Sequence, residues 1–340
     1  MAKPLPAWKK GLGFSLTLSV ATALFIFFRN FDEDTWESLL KIKTVYLFAA
    51  FGLVLLLWFL EGLRIGLLVR TLHSNKRLPL WDTVQVFLMT FFFASVTPFA
   101  SGEWPAHIYA LRRRGLSLGE SSAVTATRAL ITRLLFTFTA AFLLIAFTGE
   151  PVPTFINKIF IYAVYISILT AFFLFFFLWK PQIFDWLLQK ISSFGILRRW
   201  LGENPTGRKA YHYINREFRE FLETTRSLNR FKLVNISVIV LLTIAFWVCF
   251  FSIAPLILLG LGKPVPYLQA LIWQFVMQMI IVYLPLPGGS GAAELGLASL
   301  FVFFVPSSVL GIFILAWRLL TYYILLFFGG LIALGELKPR

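Results

Sequence analysis

Eight apolar runs are the feature that most restricts what this sequence can fold into. They lie at Gly11–Phe28, Thr44–Leu60, Val84–Val96, Ser121–Thr148, Phe160–Leu178, Leu233–Leu259, Tyr267–Tyr283 and Val309–Leu334. Most approach the roughly 20 apolar residues that a helix needs to cross a bilayer. With 59% hydrophobic and only 14% charged residues, the chain lies outside the range of soluble domains. Because the runs are continuous rather than alternating, they predict an all-α, polytopic membrane helix bundle and argue against a β-barrel.

Two of the eight runs lead into helix-breaking sequence. Val84–Val96 has 13 residues, which as a helix span about 20 Å of a hydrocarbon core about 30 Å thick. It is followed by residues 97–105, with two prolines and a glycine, and then by a short second apolar piece. Tyr267–Tyr283 likewise runs into the Pro/Gly-rich residues 284–291 and then into Ala292–Val305. Both patterns predict a re-entrant hairpin, in which two half-helices meet at a broken tip.

The basic residues are distributed unequally between these runs, and this predicts the topology. With the amino terminus inside, the inner segments carry 23 Lys and Arg side chains and the outer segments carry five. The inner segments are 1–10, 61–80, 112–114, 180–232 and 335–340. Because basic loops stay in the cytoplasm, both termini are predicted to be cytoplasmic and the protein to lie in the cell membrane. The same bias accounts for the net charge of +15 without any binding of nucleic acid.

The chain is predicted to form a single domain, residues 1–340. Residues 180–232 are its one sizeable stretch outside the predicted spans. Apolar residues recur in it at helical spacing: Ile183, Trp186, Leu187 and Ile191, then Ile214, Phe218, Phe221 and Leu222. Basic residues interleave with them. The pattern predicts a cytoplasmic amphipathic loop with one or two helices on the membrane surface, with a partner-docking module as the alternative.

The two hairpins and their flanking spans form an internal repeat of opposite orientation. Both tips fit Pro-x-x-Ser-Gly, since they read Pro98-Phe99-Ala100-Ser101-Gly102 and Pro287-Gly288-Gly289-Ser290-Gly291. A glutamate follows each tip, Glu103 and Glu294. An arginine follows each tip proline by 30 or 31 residues, Arg128 and Arg318. Inverted repeats with broken helices are the architecture of alternating-access carriers, whose substrate lies near the bilayer midplane.

The charges inside the predicted spans are the candidates for a binding site: Glu103, Glu294, Arg128, Arg133 and Arg318. Charges are costly there, so they face a cavity or pair with each other. The amino termini of half-helices offer free N–H groups, and arginine is the two-pronged ligand of phosphate, so we expect a site for an anionic head group. Its other predicted contacts are Ser101, Gly102, Pro287, Gly288, Gly289, Ser290, Gly291 and, at the cytoplasmic mouth, Arg112.

Alternative roles stay open for several of these residues. Glu103 and Glu294 can instead serve only to neutralise the arginines in buried pairs. Arg128 and Arg133 are five residues apart, about 140° round a helix, so one of the two is expected to be structural. The run Arg112-Arg113-Arg114 is typical of an anchor at the membrane surface, with a role at the cytoplasmic mouth as the alternative.

Around its two tips the sequence resembles the lysylphosphatidylglycerol synthase transmembrane-region family, also called flippase-like or UPF0104 membrane proteins. The stretches that carry the resemblance are Thr97–Glu103, leading to Tyr109, Leu111 and Arg112, and Leu284–Gly291, leading to Glu294. The resemblance covers roughly residues 10–335. Ser101 takes a place where the family pattern often has glycine. The resemblance implies translocation of a lipid rather than its aminoacylation, since the chain stops before any soluble transfer domain.

The leading hypothesis is therefore a lipid flippase or carrier for an anionic or phosphate-bearing lipid. That lipid is a phospholipid, an aminoacyl-phosphatidylglycerol or a polyprenyl phosphate. The alternative is a polyprenyl-phosphate-dependent membrane glycosyltransferase, with a metal held by the outer segment Asp32-Glu33-Asp34; a non-transporting assembly partner is a third reading. The short outer loops favour the carrier. No metal or other cofactor is predicted, because the single Cys249 and the three scattered histidines lack ligand spacing.

Overall fold

The computed structural model describes residues 7–29, 33–72, 76–146, 154–180, 205–226, 233–264 and 266–336. Every regular element within these ranges is helical. The helices are α1 (Ala7–Arg29), α2 (Glu33–Leu40), α3 (Thr44–Leu72), α4 (Leu80–Ser95), α5 (Glu103–Arg113), α6 (Leu118–Ala146), α7 (Thr154–Trp179), α8 (Pro205–Arg226), α9 (Leu233–Gly260), α10 (Tyr267–Ile281), α11 (Ala292–Phe301), α12 (Ser307–Arg318) and α13 (Ile324–Glu336). This confirms the predicted all-α class.

Six helical stretches in the described ranges are long and apolar enough to cross a membrane, so the chain is a multi-pass membrane protein. They are α1, α3, α6, α7, α9 and the stretch Ser307–Glu336, in which a π-helical turn joins α12 to α13. The last stretch lies at the centre of the bundle. In its most apolar part 72% of the residues are buried, against 11–33% in the other five spans. The two shorter apolar helices, α4 and α10, begin the predicted hairpins.

Both hairpins are broken at the predicted tips. The first consists of α4, a 3-10 turn at Pro98–Ala100 and α5, and the second of α10, a 3-10 turn at Pro287–Gly289 and α11. Arg114, just after α5, donates a hydrogen bond of 2.8 Å to Gln85 near the start of α4. The first hairpin therefore returns to the end of the bundle at which it began. Re-entry of either hairpin into a membrane stays a prediction.

Contacts at the two ends of the bundle agree with the predicted order of the spans. Arg114 Nη2 lies 2.6 Å from Glu336 Oε1, which joins the end of α5 to the end of α13. At the other end, the backbone N–H of Lys43 donates to the carbonyl of Gly260, which joins the start of α3 to the end of α9. Each contact joins two segments that the charge distribution places on the same side. Which side is cytoplasmic stays a prediction.

One helix boundary differs from the sequence prediction in a way that matters for the site. The predicted second span ends at Leu60, whereas α3 continues to Leu72. Glu61 and Arg64, which the charge count assigned to an inner loop, are consequently buried in the bundle. The prediction of Arg64 as an anchoring charge is wrong. Without it the inner segments carry 22 basic residues against five, so the bias persists.

Helix α8 is the described part of the predicted amphipathic loop, and it packs against α6. The Glu217 carboxylate accepts the backbone N–H of Gly119 at 3.0 Å, in the first turn of α6. Burial would raise the pKa of Glu217, but this bond and the Arg216 guanidinium hold the pKa below its ordinary value. Phe221 and Leu222 are buried as their spacing predicts. The apolar residues predicted for a preceding helix, Ile183, Trp186, Leu187 and Ile191, lie outside the described residues.

Candidate functional site

The first tip is exposed and its backbone is strained. Phe99 and Ala100 have φ values of 54° and 51°, in the left-handed region, which costs a residue with a Cβ roughly 1–2 kcal/mol. Thr97 supports the turn, because its Oγ1 accepts the N–H of Gly102 at 2.8 Å and donates to a carbonyl of α4. The Phe99 side chain is 57% exposed, and Ser101 is exposed too. The first tip thus presents its side chains to its surroundings.

The second tip has the same turn but is built from glycines and sealed. Gly288 and Gly289 have φ values of 61° and 62°, which glycine adopts without strain. A Cβ on Gly288 would lie 2.5 Å from the hydroxyl of Tyr322, so glycine is also required by space. Helix α1 packs over this tip. Buried residues at it are Pro287, Gly289, Ser290 and Gly291.

The two tips contact each other inside the bundle, although they lie 189 positions apart in the chain. The 3-10 turn Pro98–Ala100 packs against the 3-10 turn Pro287–Gly289, and α4 also packs against the second turn. The predicted repeat therefore places its two broken segments at one point. Backbone of this kind is tolerated at membrane depth only where it is covered by protein or lines a watery cavity.

The first charge cluster consists of Glu61, Arg64, Glu103 and Arg128. Arg128 binds two carboxylates, with Nε 2.5 Å from Glu61 Oε1 and Nη1 3.0 Å from Glu103 Oε1. Arg64 Nη1 lies 3.1 Å from the other oxygen of Glu61, and its Nη2 donates to the backbone carbonyl of Arg128. Two positive and two negative charges face each other, so the cluster neutralises itself.

The second charge cluster consists of Glu294 and Arg318, with Ser19 and Tyr323 around them. Arg318 holds Glu294 in a two-pronged pair, with Nε and Nη2 each 2.8 Å from a carboxylate oxygen. The Ser19 hydroxyl of α1 also bonds to Glu294, and Tyr323 lies 2.9 Å from Ser19. Arg318 stacks on the ring of Tyr322, 4.7 Å from its centroid. Both ionic groups are fully enclosed by protein, which fits a structural pair.

Each predicted glutamate is thus paired with the arginine of its own repeat unit. No hydrogen bond or ion pair joins the two clusters in the part of the chain that the structure describes. The buried-pair alternative accounts for Arg318 and Glu294 fully and for Arg128 to a large extent. Glu103 differs, because its side chain is 37% exposed. Direct contact of these groups with a ligand stays a prediction.

Arg133 stands apart from both clusters. Its Nη1 donates a hydrogen bond of 3.0 Å to the hydroxyl of Tyr283, and its guanidinium lies 5.3 Å from the centre of that ring. Among the described residues, it has no carboxylate within 4.0 Å. Arg128 is therefore the one of the two that carboxylates hold in place, and a purely structural role for either arginine stays a prediction.

The three arginines after α5 do not act as one group. Arg112 and Arg113 are exposed, as expected for an anchor or for a cytoplasmic mouth. Arg114 is instead largely buried, with Glu336 at 2.6 Å and Asp82 at 3.9 Å. The prediction of a surface anchor is wrong for Arg114, because the turn after α5 directs it between the ends of α4 and α13.

Sequence reasoning missed His107, which is fully buried on α5 beside the first charge cluster. Its Nδ1 lies 2.7 Å from the hydroxyl of Thr125, which itself donates to the carbonyl of Ser121. The imidazole therefore donates from Nδ1, and its Nε2 has no hydrogen-bond partner among the described residues. No signal in the sequence places this histidine beside Glu61, because the two residues lie on different helices.

The described residues contain no group of three or more acidic, His or Cys side chains that could hold a metal ion. The segment proposed for a metal in the glycosyltransferase alternative is Asp32-Glu33-Asp34. Asp32 and the side chains of Glu33 and Asp34 lie outside the described residues.

Taken together, the spanning helices, the two broken hairpins and their touching tips define a polytopic α-helical membrane protein. The family described as "Lysylphosphatidylglycerol synthase TM region" matches residues 12–329, and the chain belongs to this family. A "UPF0104 membrane protein" from Archaeoglobus fulgidus is 29% identical over 321 residues, which cover 93% of this chain and 94% of the relative. These findings confirm the resemblance predicted from the tips. No solved structure matches the chain.

Proposed function

We propose that this protein is a flippase or carrier that moves an anionic or phosphate-bearing lipid between the two leaflets of the cell membrane. The observation that carries the proposal is the contact between the two broken tips inside a bundle of spanning helices. Carriers with inverted repeats bind their substrate where discontinuous helices meet. Membership of a family named for lipid chemistry supports a role connected with membrane lipids.

The exposed first tip is the entrance that this proposal requires. Ser101 and Phe99 are exposed, and Glu103 is partly so, although all three belong to a hairpin between apolar helices. A lipid head group needs a polar path through the apolar layer, and the broken tip supplies N–H groups at such a path. In this proposal the acyl chains stay in the bilayer beside α6. Other helices cover this span least, so most of its apolar surface faces lipid.

Basic side chains at one end of the bundle supply the first encounter. Arg112 and Arg113 are exposed at the end of α5, on the side that the charge distribution predicts to be cytoplasmic. In this proposal they attract the head group from the inner leaflet, and the head group then passes the first tip towards Arg133. Such attraction is screened by salt, so these residues set the rate at low ionic strength more than the affinity.

Reconstitution into vesicles tests the function directly. Vesicles carrying the protein and a trace of phosphatidylglycerol with a fluorescent head group are treated with an impermeant quencher, without any nucleotide. We expect the fraction of quenched lipid to rise well above the outer-leaflet half, and faster than in protein-free vesicles. Vesicles with an unrelated membrane protein control for leakage. Identical quenching in all three preparations would rule the proposal out.

A further inference from the structure

Among the wholly or partly buried arginines of the described spans, Arg133 is the one without an acidic partner. Of the four arginines that the described spans bury at least partly, Arg64, Arg128 and Arg318 lie within 3.1 Å of a carboxylate oxygen. Arg133 has only the hydroxyl and the ring of Tyr283. An uncompensated guanidinium inside a membrane protein is costly, so it is typical of a place where an anion binds.

The acids on the membrane helices that pack around α6 are absent or already paired. Helices α7, α9 and α10 contain no aspartate or glutamate. Glu61 on α3 and Glu103 on α5 both pair with Arg128. Phe136 lies one turn beyond Arg133, and its ring centroid is 4.7 Å from that of Trp247 and 5.0 Å from that of Phe275. The surroundings on that side are therefore aromatic. The charge of Arg133 stays uncompensated by these helices, and a ligand with a positive group would find no unpaired counter-ion on them.

The hydroxyl of Tyr283 adds a second hydrogen-bond donor beside the guanidinium of Arg133. Its hydroxyl oxygen accepts an N–H of Arg133, so its own proton stays available, and the described residues offer it no acceptor. The remaining N–H groups of the guanidinium and this O–H are donors only. Donors of this kind beside a positive charge match the oxygens of a phosphate. Tyr283 also directly precedes the second tip, so the site lies beside the broken segments.

We infer that Arg133 and Tyr283 bind the phosphate of a lipid head group and select lipids with a net negative charge over zwitterionic ones. The lipid source of the phosphate rests on the proposed function. The single negative charge of a phospholipid such as phosphatidylglycerol neutralises Arg133. Phosphatidylethanolamine adds an ammonium group, and because Glu61 and Glu103 already pair with Arg128, that group loses water without gaining an unpaired acid.

Native mass spectrometry of the purified protein with equal amounts of phosphatidylglycerol and phosphatidylethanolamine tests the inference. The unmodified protein should bind phosphatidylglycerol preferentially. In Arg133→Gln the affinity for phosphatidylglycerol should fall by about 10- to 150-fold, the loss of a charge-assisted contact, and the preference should disappear because no positive charge remains at the site. Arg133→Lys should keep part of the affinity and the preference, and Tyr283→Phe should bind phosphatidylglycerol about 2- to 13-fold less tightly. The matched control Arg70→Gln removes an exposed arginine near the end of α3, which has no place in the proposed site, and should leave the preference almost unchanged.

The outcomes separate this inference from the proposed function. If Arg133→Gln and Tyr283→Phe are monodisperse and bind phosphatidylglycerol with the affinity of the unmodified protein, the site is not where the phosphate binds. If the preference is lost while vesicles show no translocation, the site stands and the carrier function falls. Excess inorganic phosphate distinguishes the sources: a preference that survives it assigns the site to a lipid, whereas its complete loss assigns the site to a soluble anion and overturns the lipid assignment.

Discussion

The two tips share a sequence pattern and a backbone turn, yet they sit in opposite environments. Glu294 beside the second tip is completely buried, while Glu103 beside the first is 37% exposed. The second tip has glycine at each of its three left-handed positions, Gly288, Gly289 and Gly291, whereas the first tip has Phe99 and Ala100 in this conformation. The same motif is therefore compatible with a sealed core element and with an exposed, strained one.

Helix α1 is the physical reason for the difference at the second tip. It lies outside the two repeat units, packs on the second tip and contributes Ser19 to Glu294. Tyr322, placed by the π-helical turn after Arg318, closes the other side over Gly288. The first unit instead gives Arg128 a second acid, Glu61, which it shares with Arg64, so Arg128 keeps a carboxylate partner even without Glu103. The comparison teaches that the second tip is part of the packed core, whereas the first leaves Phe99 and Ser101 exposed.

Substitution of the two glutamates should give the largest difference in the free energy of unfolding. Glu294→Gln leaves Arg318 buried without a partner, which should lower the free energy of unfolding by about 3–5 kcal/mol. Glu103→Gln leaves Arg128 paired with Glu61, so the loss should stay below about 1 kcal/mol. Unfolding in mixed detergent micelles measures both. Equal losses of unfolding free energy in the two variants would contradict the distinction between a buried second tip and an exposed first tip.

Substitution of the tip glycine should have the next largest effect. Gly288→Ala adds a Cβ at a φ of 61° and within 2.5 Å of Tyr322, which should cost about 2–4 kcal/mol of stability from strain and overpacking. Gly52→Ala is the matched control, because a Cβ there meets nothing within 4 Å. We expect the control to be neutral or slightly stabilising in the same assay. A neutral Gly288→Ala would show that the second tip is loosely packed.

The reverse change at the first tip should produce the smallest effect, and in the opposite direction. Ala100→Gly relieves a left-handed alanine at φ 51° and should stabilise the protein by up to about 1 kcal/mol, since the added freedom of the unfolded chain offsets part of the gain. Lipid translocation measured on the same variant then shows whether the strain serves transport. A destabilised Ala100→Gly protein would mean that the alanine methyl group packs in the folded state.

The bundle and its breaks could be predicted from the sequence because they depend on local properties. Hydropathy indicated the spans, and proline with glycine indicated the tips at 98–102 and 287–291. The partners of charged residues could not be predicted in this way. Glu61 and Arg64 ended the hydropathy run and so looked like part of a loop, although their neutralisation by Arg128 lets α3 continue. Pairing across helices depends on rotation and depth, which a single sequence does not specify.

The same limit explains the environments of the tips. Nothing in the pattern Pro-x-x-Ser-Gly distinguishes Ser101, which is exposed, from Ser290, which is buried. The distinction comes from α1 and from Tyr322, which reach the second tip only in the folded bundle. Likewise the sequence placed Arg133 among five intramembrane charges, and only the contacts showed that it lacks a carboxylate.

The most direct test of unequal tips compares cysteines at the two equivalent serines. Ser101→Cys and Ser290→Cys are each made in a Cys249→Ser background and treated in vesicles with a membrane-impermeant thiol reagent. The account predicts fast modification of the cysteine at 101, slowed by added phosphatidylglycerol, and almost none at 290 in the folded protein. Modification of both at the same rate, or of 290 alone, would contradict it.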